Sequence, residues 1–96
     1  MSFRDFLIQD VRLVVLRVLD EMPGYRSNSS VLASALERFG HSVTRDQVKT
    51  QLAWLSEQGL VTLDDVEAVA VATLTTRGQD VVKGRVLQPG VKRPGA

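Results

Sequence analysis

Arg45, Gln47, Lys49, Thr50 and Gln51 bring a guanidinium, an ammonium, two amides and a hydroxyl into one short stretch of chain. Such groups can donate to and accept from base edges and phosphates, with arginine able to grip a guanine edge or a phosphate. Each also has a plainer reading as a solvated surface group, and Gln47 has a competing task as a helix cap. Other chemistry is sparse. With no cysteine and one histidine, His41, the chain cannot build a cysteine-ligated zinc site or a thiol nucleophile, and His41 reads as a solvent-facing turn residue. Ser27, Asn28, Ser29 and Ser30 read as helix caps, because no base accompanies them. Asp64, Asp65 and Glu67 could attract a cation weakly, but a charged hairpin tip that resists edge aggregation is the simpler account. A glycine-rich phosphate loop ending in lysine and serine or threonine is missing. The residues predict no enzyme, no cofactor and no metal.

The five polar groups need a helix to aim them. Thr44 and Gln47 have capping-box spacing, and Val43 with Val48 has the spacing of a hydrophobic staple, so two signals agree on a helix start. Val48, Leu52 and Leu55 then recur along one face while Arg45, Lys49, Thr50 and Gln51 fall largely elsewhere, and Gly59 supplies the stop. Trp54 could stack on a base, although its position suits core or interface packing better.

Around this helix the pattern predicts a mainly helical α+β fold. Ser2 and Asp5 resemble a capping pair for a first helix over about Phe3 to Glu21, ended by Pro23-Gly24. The polar run Arg26 to Ser30 caps a second helix of about Ser30 to Phe39, and Gly40 to Val43 forms the tight turn into the third. Leu60 to Leu63 and Val66 to Leu74 read as a hairpin turning at Asp64-Asp65, with Val66, Ala68, Ala70, Ala72 and Leu74 on one face. The turn lacks the glycine or asparagine best suited to two residues, which points to a longer loop. Thr75 caps a short helix to about Gly84. One domain is expected over 1-84, followed by a disordered basic tail over 85-96. The apolar run Leu13 to Leu16 is far too short to span a bilayer and the start lacks a signal-peptide core, so a soluble chain of the bacterial cytoplasm, with no membrane partner, is expected.

Three helices, a hairpin and a closing helix resemble the winged helix-turn-helix of ArsR- and MarR-type regulators. The matching residues are Val48, Leu52, Leu55, the Gly59-Leu60-Val61 helix end, and Leu74-Thr75 with Gly78 at the last helix. More closely, SFRDFLIQDVRLVVLRVL, RDQVKTQLAWLSEQGLVTL and PGVKRP resemble a family of small ArsR-like proteins of Mu-like phages and prophages. That resemblance implies a transcriptional regulator that reads the major groove of double-stranded DNA with helix 44-58. The metal-sensing branch of such regulators is unsupported, since its cysteine ligands are absent.

Charge pulls the other way. Five arginines up to Val43 are cancelled by five acids, Arg45 and Lys49 are offset by Asp46 and Glu57, and Asp64, Asp65 and Glu67 would face phosphates from the wing. This opposes nonspecific affinity. Excess positive charge sits instead at Arg77, Lys83, Arg85, Lys92 and Arg93. An alternative is therefore an interaction module that uses the acidic wing and an apolar helix face to contact a phage or host protein. On the first helix, Leu7, Val11, Val14, Val15, Val18 and Met22 gather on a core face, and Phe6, Leu13 and Leu16 fall opposite. The second apolar face requires cover by the last helix and tail or by a second subunit, and a homodimer interface at Phe6, Leu13 and Leu16 is the expectation.

Overall fold

A reciprocal cap opens the first helix, α1 (Phe3–Glu21): Ser2 Oγ accepts from Asp5 N–H at 3.1 Å, and the Asp5 carboxylate accepts from Ser2 N–H. The computed structural model describes residues 2–95; Met1 and Ala96, which end the expected 1-84 and 85-96 units, lie outside the described residues. Pro23-Gly24 stops α1 as expected, and a 3-10 turn (Pro23–Tyr25) leads into a short strand, β1 (Arg26–Asn28). Asn28 Oδ1 then accepts from Val31 N–H at 2.8 Å and starts α2 (Ser29–Arg38). After a tight turn comes α3 (Arg45–Glu57), followed by β2 (Val61–Val66), β3 (Val69–Leu74) and α4 (Thr76–Val82), which Thr75 caps.

The sheet runs β1-β3-β2, antiparallel throughout. Its turn differs from expectation. Asp64 and Asp65 are strand residues opposite Val71 and Ala70, and the chain reverses through two residues, Glu67 and Ala68, both in the left-handed region at φ 50° and 65°. Packing sets this register. Val61 and Leu63 must lie opposite Leu74 and Ala72 so that the apolar face meets the helices. A turn at Asp64-Asp65 would leave Ala72 and Leu74 opposite residues of α3 rather than a strand. Because the left-handed region costs an L residue about 1–2 kcal/mol, Ala68→Gly should stabilise the chain by up to roughly 1 kcal/mol after glycine's own entropic cost. A denaturant midpoint no higher than the parent's would contradict this.

The core lies between the helices and the inner sheet face. Leu32 and Leu36 of α2, Val48, Leu52 and Leu55 of α3, and Leu60, Ala72 and Val81 are all buried. Fully burying one such aliphatic side chain stabilises the fold by about 1.5–3 kcal/mol, so Val48, with Val43 half-buried against the same cluster, seats the start of α3 on this core.

On α1 the assignment of faces is corrected. Leu13 is 1% exposed and Leu16 is fully buried, so neither offers an outer surface to a second subunit; Phe6, at 44%, does. Leu7, placed on the core face by periodicity, is 38% exposed. The reason is that α1 is covered on its second side too. Gln79 of α4 and Lys83 at its C-terminal cap both reach Asp20, and Leu13 lies beside Lys92 and Arg93 of the C-terminal segment. That segment is likewise not the disordered tail expected. Val91 is buried, and Lys92 N–H donates to the Gln9 carbonyl at 3.1 Å, so residues 85–95 pack on the same body as the rest.

No helix among the described residues is long and apolar enough to cross a membrane.

Candidate nucleic-acid interface

The cap predicted for α3 is present in both directions. Thr44 Oγ1 accepts from Gln47 N–H at 3.1 Å and Gln47 Oε1 accepts from Thr44 N–H at 2.9 Å. Gln47 is exposed and has its side-chain oxygen engaged at the helix start, while its amide N–H groups have no partner among the described residues. Thr50 is also exposed, and its hydroxyl donates to the Asp46 carbonyl one turn back. Arg45 is exposed and makes no hydrogen bond or ion pair among the described residues, so its guanidinium is free to meet an anion.

Lys49 and Gln51 are placed differently. Lys49 Nζ donates to the Ala68 carbonyl at 3.2 Å, tying α3 to the tip of the wing. Between the two lies an open groove of about 340 Å3, lined by Ser29, Thr44, Arg45, Asp46, Lys49 and Ala68. Gln51 is half-buried and turned toward α1, where its Oε1 accepts from Arg12 Nε at 2.8 Å. The structure thus brings Arg45, Gln47, Lys49 and Thr50 to one accessible end of α3 and ties Gln51 to α1 through Arg12.

Arg12 is a site residue that periodicity gave no reason to single out. Its guanidinium stacks on Trp54 at 3.7 Å from the ring centroid, and its Nη1 donates to the Gly90 carbonyl at 2.9 Å. Trp54 is consequently packing rather than free to stack on a base. Burial lowers the Arg12 pKa, which desolvation does to any cation.

His41 also departs from expectation. Its side chain is only 11% exposed, and Nε2 lies 2.7 Å from Asp10 Oδ2, a hydrogen bond that the carboxylate accepts. The other Asp10 oxygen is 3.4 Å from Lys92 Nζ. Asp10 therefore joins the turn before α3, the first helix and the C-terminal segment. Burial alone would raise the Asp10 pKa, but the His41 hydrogen bond and the Lys92 charge outweigh it and hold the carboxyl below its ordinary 3.8. Asp20 is held low in the same way, chiefly by its hydrogen bond to Lys83. A depressed carboxyl contributes stability that is complete above the unfolded value and lost as pH falls through the folded one. Asp10→Asn should accordingly flatten the acid limb of the stability curve below about pH 4, as thermal melts across that range would show; an unchanged limb would contradict the bridge.

The acidic groups of the wing, Asp64, Asp65 and Glu67, are all exposed, as is Val66 between them. No group of three or more metal-ligating side chains occurs among the described residues.

Against known proteins, the chain is 48% identical over 90 residues to protein gp26 of Escherichia phage Mu, covering 94% of this chain and 93% of gp26. The chain belongs to the gp26 family. A Haemophilus influenzae protein is 47% identical over 78 residues, covering 80% of this chain and 76% of that one. No protein-family model matches. Among solved structures, this gp26-family chain is similar to Sco3205, a MarR family transcriptional regulator from Streptomyces coelicolor solved in complex with DNA, with a TM-score of 0.63 and 25% identity. That match covers 83% of this chain and 51% of Sco3205. BpsR of Bordetella bronchiseptica shares the fold at a TM-score of 0.64 and 18% identity, over 88% of this chain and 57% of its own. The gp26-family chain is thus a small winged-helix protein of the Mu-like phage type, with the mixed, mainly helical architecture of the MarR-like structures, and it spans about half the length of those regulators.

Proposed function

We propose that this protein binds double-stranded DNA as a phage or prophage regulator, inserting the exposed start of α3 into the major groove. The observation that carries the reading is the placement of Arg45, Gln47 and Thr50 on the open end of a helix whose opposite face is locked into the core. Sco3205, which has this fold, was solved with DNA. In helix-turn-helix proteins the start of the second helix of the motif addresses base edges, while basic groups hold phosphates. Here Arg45 meets a guanine edge or a phosphate, Thr50 and the Gln47 amide contact bases, and Lys49 divides its ammonium between the wing carbonyl and the backbone. Gln51 holds α3 to α1 through Arg12.

The wing carries no such role. Its acids lower nonspecific attraction, so affinity depends on the few contacts of α3 rather than on a broad positive surface. A chain spanning about half of a MarR regulator also presents Phe3, Phe6 and Leu7 exposed at the start of α1. A homodimer through that apolar end would let two α3 helices address two half-sites. Titration of fragmented phage and host DNA across a salt series, with sizing of the free protein, tests this. A saturable complex whose affinity falls log-linearly with salt is expected; equally feeble binding to every fragment would end the reading.

The exposed Asp64, Asp65, Val66 and Glu67 favour a second reading, an interaction module that offers the wing to a basic surface of a phage or host protein. Asp64→Asn with Asp65→Asn separates the two. Neutralising the wing strengthens DNA binding under the first reading and abolishes partner capture under the second.

A further inference from the structure

We propose that Gln88 to Lys92 form a strap that sets the pose of the DNA-reading helix, with Arg12 and Gly90 as its positioning residues. The inference rests on the reading of α3 as that helix. Three positions of α1 converge on the strap. The Gln9 carbonyl accepts from Lys92 N–H, Asp10 pairs with Lys92 Nζ, and Arg12 donates to the Gly90 carbonyl. Two of the three also hold the helix-turn-helix, Asp10 through His41 in the turn and Arg12 through Gln51 and Trp54 in α3. The strap further reaches α3 directly. Gln88 Nε2 donates to Gln58 Oε1 at the helix end, and Gly90 lies close against Cζ2 and Cη2 of Trp54.

Glycine is required at that contact. Position 90 has φ 93°, and a Cβ there would come within 2.6 Å of the Trp54 ring and 3.1 Å of Arg12 Nη1. Any larger side chain must lift the strap or tilt the indole, and with it α3. The guanidinium fork matters for a similar reason, since one planar group satisfies Gln51 and Gly90 at once while lying over the ring. A lysine ammonium has the charge but not that geometry. None of these groups belongs to the exposed polar start of α3, so the strap acts on DNA through helix pose alone.

The test uses the full chain with Gly90→Ala and Arg12→Lys. Trp54 is the single tryptophan, so its emission reports strap seating directly, and amide exchange over α3 reports pose. Both variants should shift the emission and speed exchange over α3 by about tenfold relative to α2. Affinity for the phage DNA fragment bound best by the parent should fall about tenfold with the salt slope unchanged, because no phosphate contact is removed. Unaltered emission and exchange in the variants would overturn the proposal, as would parental affinity despite an altered emission. If the parent chain binds no DNA, the reading of α3 fails by itself; exchange then decides the coupling, accelerated exchange supporting it and parental exchange overturning it.

Discussion

Alanine at Gly78 is expected to lower stability by about 1–3 kcal/mol, the usual cost of forcing a methyl group into a packed site. A Cβ at this position would sit 2.3 Å from the Leu60 carbonyl oxygen and 2.5 Å from Leu74 Cδ1. The first neighbour is backbone and cannot turn aside. It also accepts from Thr75 N–H, so displacing it disturbs the cap of α4 as well. Helix propensity alone predicts the reverse, since alanine in a helix is favoured over glycine by about 1 kcal/mol. The sign of the change is therefore diagnostic. For a chain of this size, each kcal/mol corresponds to roughly 4–8 °C in Tm, and a Gly78→Ala melt at or above the parental temperature would show that α4 does not approach Leu60 so closely.

The second large effect is on binding. Arg45→Ala should weaken DNA affinity by about tenfold or more, as the loss of a good bidentate base contact or a phosphate clamp does. If Arg45 holds a phosphate, the salt slope should fall by about 1; if it reads a guanine, discrimination at one base pair should relax with the slope unchanged. Arg45 is the better choice for this experiment than Lys49. Removing Lys49 also releases the Ala68 carbonyl and the wing, mixing two effects. Full affinity with full specificity in Arg45→Ala would place the contact surface elsewhere.

Much of this architecture can be read from local chemistry. The Ser2–Asp5 and Thr44–Gln47 boxes, the Thr75 cap and the Val48, Leu52 and Leu55 face are short-range signals, and each element stands where those signals put it. The accessible group of Arg45, Gln47, Lys49 and Thr50 follows from the same helix. What stayed hidden depends on partners distant in sequence. β1 is Arg-Ser-Asn, three residues with little strand preference of their own, and exists because β3 pairs with it. The wing turn falls at Glu67-Ala68 although Asp64-Asp65 look more turn-like, because register is decided by which residues face the core.

The C-terminal segment shows the same limit. Its prolines, glycines and charges resemble disorder, yet Val91 is buried and Gly90 lies on Trp54. Without that cover Leu13 looks like an interface; beside Lys92 and Arg93 it is core, and Leu16 is buried with it. His41 has no visible partner within its own turn, and its hydrogen bond to Asp10 spans 31 positions of sequence. Asp10 and Lys92 lie at opposite ends of the chain, so nothing in the local sequence around Asp10 signals that second contact.

The most direct measurement is an amide-resolved NMR titration of the chain with the phage DNA fragment it binds best. Perturbations should concentrate at Thr44 to Thr50 and at the neighbouring wing turn, with Leu13 and Leu16 silent. Perturbations confined to Phe3, Phe6 and the outer wing strand, or none at all, would contradict this.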